Sequence, residues 1–285
     1  MASDDGRMAN DAVPAAGGPA PAPPTVLAAP AAAPPSPSGR ARARPGRPWG
    51  FWATLGWTAL WIGLWFFMNV AAVTVVLVGL AVRDGNADLT AAAEDLGANG
   101  LLLSVICILQ TPVLVALVVL VAWMRLPVRE YLGLKALRWK EVFIWTAFLT
   151  VLLGMQDGLA LLMGKPVVPP FMVQAYSTAG FLPLLVVALV VAAPLAEETL
   201  FRGLLFKGIA ASRTGVVGAV LISSAVWAAI HFQYDLYGVG WIFVEGVFLG
   251  IVRWRTGSVT LTMLLHAIGN AIATIEAAVV VEGLL

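Results

Sequence analysis

Charge is what this sequence has least of. Only 12% of its 285 residues are Asp, Glu, Lys or Arg, while 60% are hydrophobic; an ordinary soluble domain carries about 25% charged residues. That shortage excludes a soluble globular fold and points to an all-α, polytopic integral membrane protein. Cysteine is confined to Cys107, which excludes an intramolecular disulfide and argues against a Cys-ligated metal site. Cys107 lies in an apolar run with no polar neighbour to activate it, so it reads as a packing residue. Histidine is confined to His231 and His266. A net charge of +1 gives no sign of a nucleic-acid partner. The partner expected from composition is the lipid bilayer.

What is present divides into unlike parts. Residues 1–48 hold 11 of the 18 prolines, many alanines and almost nothing large and apolar. Such a segment cannot bury enough surface to offset its ordering entropy and reads as a disordered tail. It lacks the basic start and apolar stretch of a signal peptide. N-terminal transmembrane helices are expected over 49–179, and a second transmembrane domain, carrying the chemistry, over 180–281. About seven apolar segments approach the roughly 20 residues that a bilayer core demands: 50–82, 100–124, 142–164, 181–210, 214–232, 238–254 and 258–281. Trp57, Trp61 and Trp65 share one face of the first at helical spacing, a lipid- or helix-packing stripe.

Loop charge sets the expected orientation. With the tail inside, one side of the membrane collects Arg40, Arg42, Arg44, Arg47, Arg125, Arg129, Lys135, Arg138, Lys140, Lys207, Arg213, Arg253 and Arg255, and the other receives Arg83 and Lys165. The positive-inside rule then places the N-terminus in the cytoplasm, and a bacterial cell membrane is the expected setting.

The stretch that organises the chain is Ala196-Glu197-Glu198-Thr199-Leu200-Phe201-Arg202, which follows an uncharged run from Phe181 to Leu195. Carboxylates and an arginine at membrane depth cost several kcal/mol, roughly 2.5–3.5 each on insertion scales, and mark functional sites. On a helix Glu198 and Arg202 lie four apart and can pair. Glu197 points about 100° away and is left for another face. Both histidines fall within apolar segments: His231 ends Trp227-Ala228-Ala229-Ile230-His231, and His266 begins His266-Ala267-Ile268-Gly269-Asn270. Trp227 covers the face of His231 one turn earlier, and His266 shares a face with Asn270. At 1.5 Å per residue, Glu197 and His231 lie about 24 and 27 Å from the turn near Arg213, and His266 and Asn270 about 15 and 21 Å from the turn near Thr256. These depths overlap, so the groups can converge. Asp157 and Glu245 are further charges within apolar segments, with no partner suggested by sequence.

Such a set supports hydrolysis. A glutamate in a low-dielectric site beside a histidine can deprotonate a trapped water. A second histidine and an asparagine can donate hydrogen bonds to the oxyanion formed when water attacks an amide. Alternatively, Glu197, His231 and His266 could ligate Zn²⁺, since mixed N/O ligands with an open position are a catalytic pattern. The sequence leaves both routes open, and the spacing resembles no short zinc signature of the HExxH kind.

The order EExxxR, aromatic-xxx-H and HxxxN resembles the CPBP (Abi) family of intramembrane proteases, which includes type II CAAX prenyl endopeptidases and bacteriocin-processing or self-immunity homologues. The motifs here are Glu197-Glu198-Thr199-Leu200-Phe201-Arg202, Trp227 to His231, and His266 to Asn270, spread over residues 180 to 275. Trp227 stands where the family usually has phenylalanine. The resemblance implies an intramembrane endopeptidase in which Glu197 is the general base, His231 helps activate water, and His266 and Asn270 stabilise the oxyanion. Glu198 and Arg202 support them. It implies either a metal or a metal-free glutamate mechanism. The alternatives are a non-catalytic binding or immunity protein of the same fold, or a proton-coupled transporter in which Glu and His form a relay. The lack of an internal repeat counts against the transporter.

Overall fold

The computed structural model describes residues 46–85 and 88–284. The tail expected over residues 1–48 therefore lies outside the described residues as far as residue 45. Ten helices and no strand occur among the described residues. They are α1 (Phe51–Arg83), α2 (Leu89–Gly97), α3 (Gly100–Trp123), α4 (Val128–Leu132), α5 (Trp139–Leu162), α6 (Pro170–Ser177), α7 (Leu182–Ala210), α8 (Gly215–Ala229), α9 (Leu236–Thr256) and α10 (Val259–Val281). Six of them (α1, α3, α5, α7, α9 and α10) are long and apolar enough to cross a membrane. The expected segment 214–232 contains α8, whose 15 residues span about 22 Å, short of a hydrocarbon core of about 30 Å. The 33 residues of α1 reach about 50 Å, so that helix tilts or projects beyond the bilayer. The amphipathic α2 and the short α4 and α6 fall in segments where no helix was expected.

Local chemistry marks the helix starts. Side chains of Asp88, Asn99, Asp235 and Ser258 accept hydrogen bonds from the first-turn N–H groups of α2, α3, α9 and α10, satisfying donors that have no partner within the helix. With α8 counted among them, successive long helices run in alternating directions, so that α7 and α9 are parallel and the bundle has two ends, each tied by contacts between connections. At one end Trp49 Nε1 donates to the carbonyl of Val121 at 2.9 Å. There Lys135 Nζ donates to Thr256 O at 2.8 Å and the Val259 N–H to Gly133 O at 3.0 Å. At the other end the Gly100 N–H donates to Thr178 Oγ1 at 2.8 Å, and Lys165 pairs with Asp235 at 2.9 Å. That ammonium and the Gly238 N–H hold the Asp235 carboxyl below its ordinary range, the N–H being the larger influence.

The central helix α7 is not uniform. Two π-helical stretches, Val187–Ala192 and Thr199–Leu205, bracket the acidic pair. In such turns the hydrogen bond reaches back five residues, and neighbouring side chains take carbonyls of the first stretch. Cys107 Sγ donates to Ala188 O, Asn270 Nδ2 to Leu189 O at 2.7 Å, and Thr111 Oγ1 to Ala192 O at 3.2 Å. Pro194 has no N–H to return to the turn before it.

Helices α8 and α9 pack most closely where α9 has no side chains. A Cβ on Gly246 would come within 2.9 Å of Ser224 Cβ, and one on Gly250 within 3.1 Å of Val220 Cγ1. Small residues four apart allow such backbone approach between membrane helices. Gly246→Val is expected to push α8 off α9 and lower stability in detergent by about 1–3 kcal/mol, the usual cost of overpacking. Thermal unfolding of the purified variant checks this.

Candidate active site

A cavity of about 560 Å³ lies between the helices, within the size range of sites that enclose small ligands. Glu197, His231, His266 and Asn270 all line it, although they come from three separate stretches of chain. Trp61 and Trp65 of α1, Gln110 of α3 and Asp157 of α5 complete its walls. The tryptophan stripe of α1 thus has a part in the site. Trp61 is buried and donates from Nε1 to Leu114 O at 3.2 Å.

Beneath the cavity the paired charges are wholly enclosed. Arg202 Nη1 meets Glu198 Oε1 at 2.7 Å, with both side chains 0% exposed. The guanidinium also donates from Nη2 to Gly246 O at 3.2 Å, and the carbonyl of Arg202 accepts from Arg253 Nε at 2.8 Å. Arg202 is thus bonded to α9 from both its side chain and its backbone. The i, i+4 pairing expected from helical spacing forms although the segment between the two residues is π-helical. His266 Nδ1 lies 3.1 Å from Glu198 Oε1. Helical spacing gave Glu198 to Arg202 and left Glu197 for another face, as the carboxylate grouped with the two histidines. Instead α10 passes beside Glu198, and His266 hydrogen-bonds that carboxylate.

Trp227 is the hub of the cluster. Its indole N–H donates to Glu197 Oε2, and its ring lies 4.5 Å beneath the Arg202 guanidinium carbon, within the range of a cation–π contact. The His231 and His266 rings meet it edge-on, each with centroids 5.2 Å away. Its own carbonyl holds His231 Nδ1 at 2.7 Å. Because a carbonyl can only accept, Nδ1 of His231 carries a proton, and Nε2 of the neutral ring is an acceptor. Read from sequence, Trp227 was a covering aromatic. The structure adds a hydrogen bond that phenylalanine could not make. The signal lay in the indole N–H, which needs a partner when buried.

Three further cavity residues are notable. Glu245 of α9 and Glu276 of α10 put more carboxylates on the wall, and Cys107, expected to be packing alone, is half-buried there. Glu245 was visible as a charge inside an apolar run, but nothing in sequence indicated which side it would face. A metal ion held by Glu197, His231 and His266 would need those side chains to converge as ligands. They do not form such a set: among the described residues no three His, Cys, Asp or Glu side chains could jointly hold an ion.

Removing one member of an enclosed ion pair strands the other, at about 3–5 kcal/mol. Arg202→Ala is expected to lower the thermal stability of the purified protein by that order. Glu198→Gln with Arg202→Met should recover part of the loss, because no charge then remains enclosed. Comparing the unfolding midpoints of the wild type and these two variants tests the pairing.

Comparison with known proteins finds a family similarity over the stretch that holds this cluster. Residues 179–272 match the family described as Type II CAAX prenyl endopeptidase Rce1-like. An uncharacterized 24.3 kDa protein of Escherichia coli is 35% identical over 103 residues, which are 34% of this chain and 46% of that protein. The chain thus spans less than half the length of this curated relative. No solved structure matches. The matched stretch holds every member of the cluster around Trp227, and the match is consistent with the CPBP intramembrane proteases.

Proposed function

We propose that this integral membrane protein is an endopeptidase that hydrolyses a peptide bond of a membrane-associated protein or peptide, with Glu197 as general base and no step assigned to a metal. The observation that carries the reading is the division of labour within the acidic pair. Glu198 is consumed by Arg202 and His266, whereas Glu197 faces the cavity with the Trp227 N–H as its hydrogen-bond donor. Supporting it are the family match and the gathering of polar groups in an otherwise apolar cavity.

The geometry supports the following sequence. A water in the cavity gives a proton to Glu197 as its oxygen attacks the scissile carbonyl carbon, and His231 Nε2 is available to accept the water's second hydrogen as a hydrogen bond. The carbonyl oxygen becomes an oxyanion. One N–H of the Asn270 amide is committed to Leu189 O, which fixes the amide plane and leaves the other N–H for the oxyanion. His266, with Nδ1 on Glu198, can donate from Nε2 when the ring carries both protons. As the C–N bond breaks, Glu197 returns its proton to the leaving amine. In a water-excluded site such oriented donors are worth more than in bulk solvent.

Neither the cavity residues nor their spacing specify a prenyl group. The substrate class is therefore a membrane-associated polypeptide, of which a prenylated CAAX protein is one branch of the family's range.

Glu197→Ala is expected to reduce peptide release by about 10²–10⁴-fold, the usual contribution of a general base, while the protein still inserts and purifies. Mass spectrometry of membrane peptides from cells carrying the wild type or the variant names the substrate; identical profiles would sink the assignment. Trp227→Phe keeps the ring but deletes the N–H to Glu197, so kcat should fall more than KM rises. Asn270→Ala should cost about 10²–10³-fold in kcat. Exhaustive chelation with elemental analysis tests the metal-free route directly: loss of activity that zinc restores would overturn it.

A further inference from the structure

The cavity reaches the connections at only one end of the bundle, and the charges of the protein indicate which side of the membrane that end faces. Its rim is built from connections at a single end of the bundle: Gly97 after α2, Val167 and Pro169 before α6, and Gln233 and Tyr234 before α9. This is the end tied by the Lys165–Asp235 pair. No residue of the opposite connections, 124–138, 211–214 or 257–258, lines it.

Toward that opposite end the bundle is filled. Phe201, Leu205, Ile209, Tyr131 and Leu132 are each almost completely buried below Arg202. The short α4 closes over them, its last carbonyl accepting from Arg253 Nη2 at 3.4 Å. A polypeptide entering from this end would have to displace a packed core and the enclosed ion pair, whereas entry from the rim displaces neither.

The sealed end is also the basic one. Arg125, Arg129, Lys135, Lys207, Arg213 and Arg255 lie there, whereas among the described residues the rim end carries only Arg83 and Lys165 as cationic side chains. Lysine and arginine excess within about 15–20 residues of the membrane-spanning segments marks the cytoplasmic side. The basic end is therefore cytoplasmic and the rim opens on the other side.

We propose that the active site is supplied from the non-cytoplasmic face of the membrane, and that its substrate is a membrane-anchored polypeptide whose cleaved segment lies in the outer half of the bilayer or just beyond it. The substrate half of this proposal rests on the endopeptidase reading; the direction of the opening does not. A cytoplasmic protein carrying a C-terminal lipid would meet the sealed end. The expected substrates are instead exported proteins and peptides that remain tethered after translocation, and the processing step follows their export.

The experiment uses single-cysteine versions of the full chain in intact cells, in a Cys107→Ala background. Gln233→Cys places a thiol at the exposed rim and Arg213→Cys one in the exposed α7–α8 connection. A membrane-impermeant polyethylene glycol maleimide added outside is expected to label Gln233→Cys at once and Arg213→Cys only after the membrane is permeabilised. The reverse pattern, or external labelling of both, overturns the proposal. In the same cells, external labelling of Gln233→Cys should stop release of those peptides whose appearance depends on Glu197. Continued release from fully labelled protein would show that substrate takes another route and would overturn the substrate half. If Glu197→Ala leaves the peptide profile unchanged, the endopeptidase reading fails, and the labelling pattern still decides which way the cavity opens.

Discussion

A guanidinium with no access to water has to be neutralised where it lies, and Arg202 is neutralised by Glu198 one turn earlier. The arrangement around this pair follows from that requirement. The attraction is strong in a low dielectric, but each ion has lost its hydration, so the remaining polar atoms need partners of their own. Arg202 finds one in Gly246 O, where the absence of a side chain lets α9 come close, and the face of Trp227 covers the cation. His266 takes a second place on Glu198. Each of these contacts draws a different helix toward α7, so one buried charge pair sets the positions of α8, α9 and α10.

The same contacts divide two adjacent glutamates. Glu198 is enclosed, its Oε1 shared by Arg202 and His266, whereas Glu197 lines the cavity and is held by an indole N–H. Because Trp227 touches Arg202, Glu197 and both histidine rings, it links the supporting charges to the groups proposed to act on substrate. The π-helical turns of α7 contribute in another way. Side chains on α3 and α10 reach the carbonyls of its first π stretch, including the Asn270 amide on Leu189 O. Irregular backbone at membrane depth is tolerated where it is enclosed in protein or lines a cavity, and here it does both.

Much was legible in the sequence because the bilayer imposes so strict a code. The lengths of the apolar runs and the clustering of cations predict the spans and their alternation, and α1, α3, α5, α7, α9 and α10 occupy the expected segments. The Glu198–Arg202 pair follows from helical spacing alone. Polar groups are few enough in apolar segments that Glu197, His231, His266 and Asn270 stood out without any structure. The sequence could not show the π turns, which change the register on which a helical-wheel argument depends, nor α2, α4 and α6, whose short runs carry too little periodicity.

The amino-acid sequence by itself determined that this is an all-α membrane protein, which polar residues lie at membrane depth, and that Glu198 pairs with Arg202, because hydrophobicity and local helical spacing act over a few turns. Only the tertiary structure decided that His266 rests on Glu198 rather than Glu197, that Trp227 supplies a hydrogen bond as well as a ring, and that the cavity is lined by connections of the end away from the basic one. Those are contacts between segments distant in the chain. They depend on how helices rotate and tilt against one another, which packing sets and no single segment encodes.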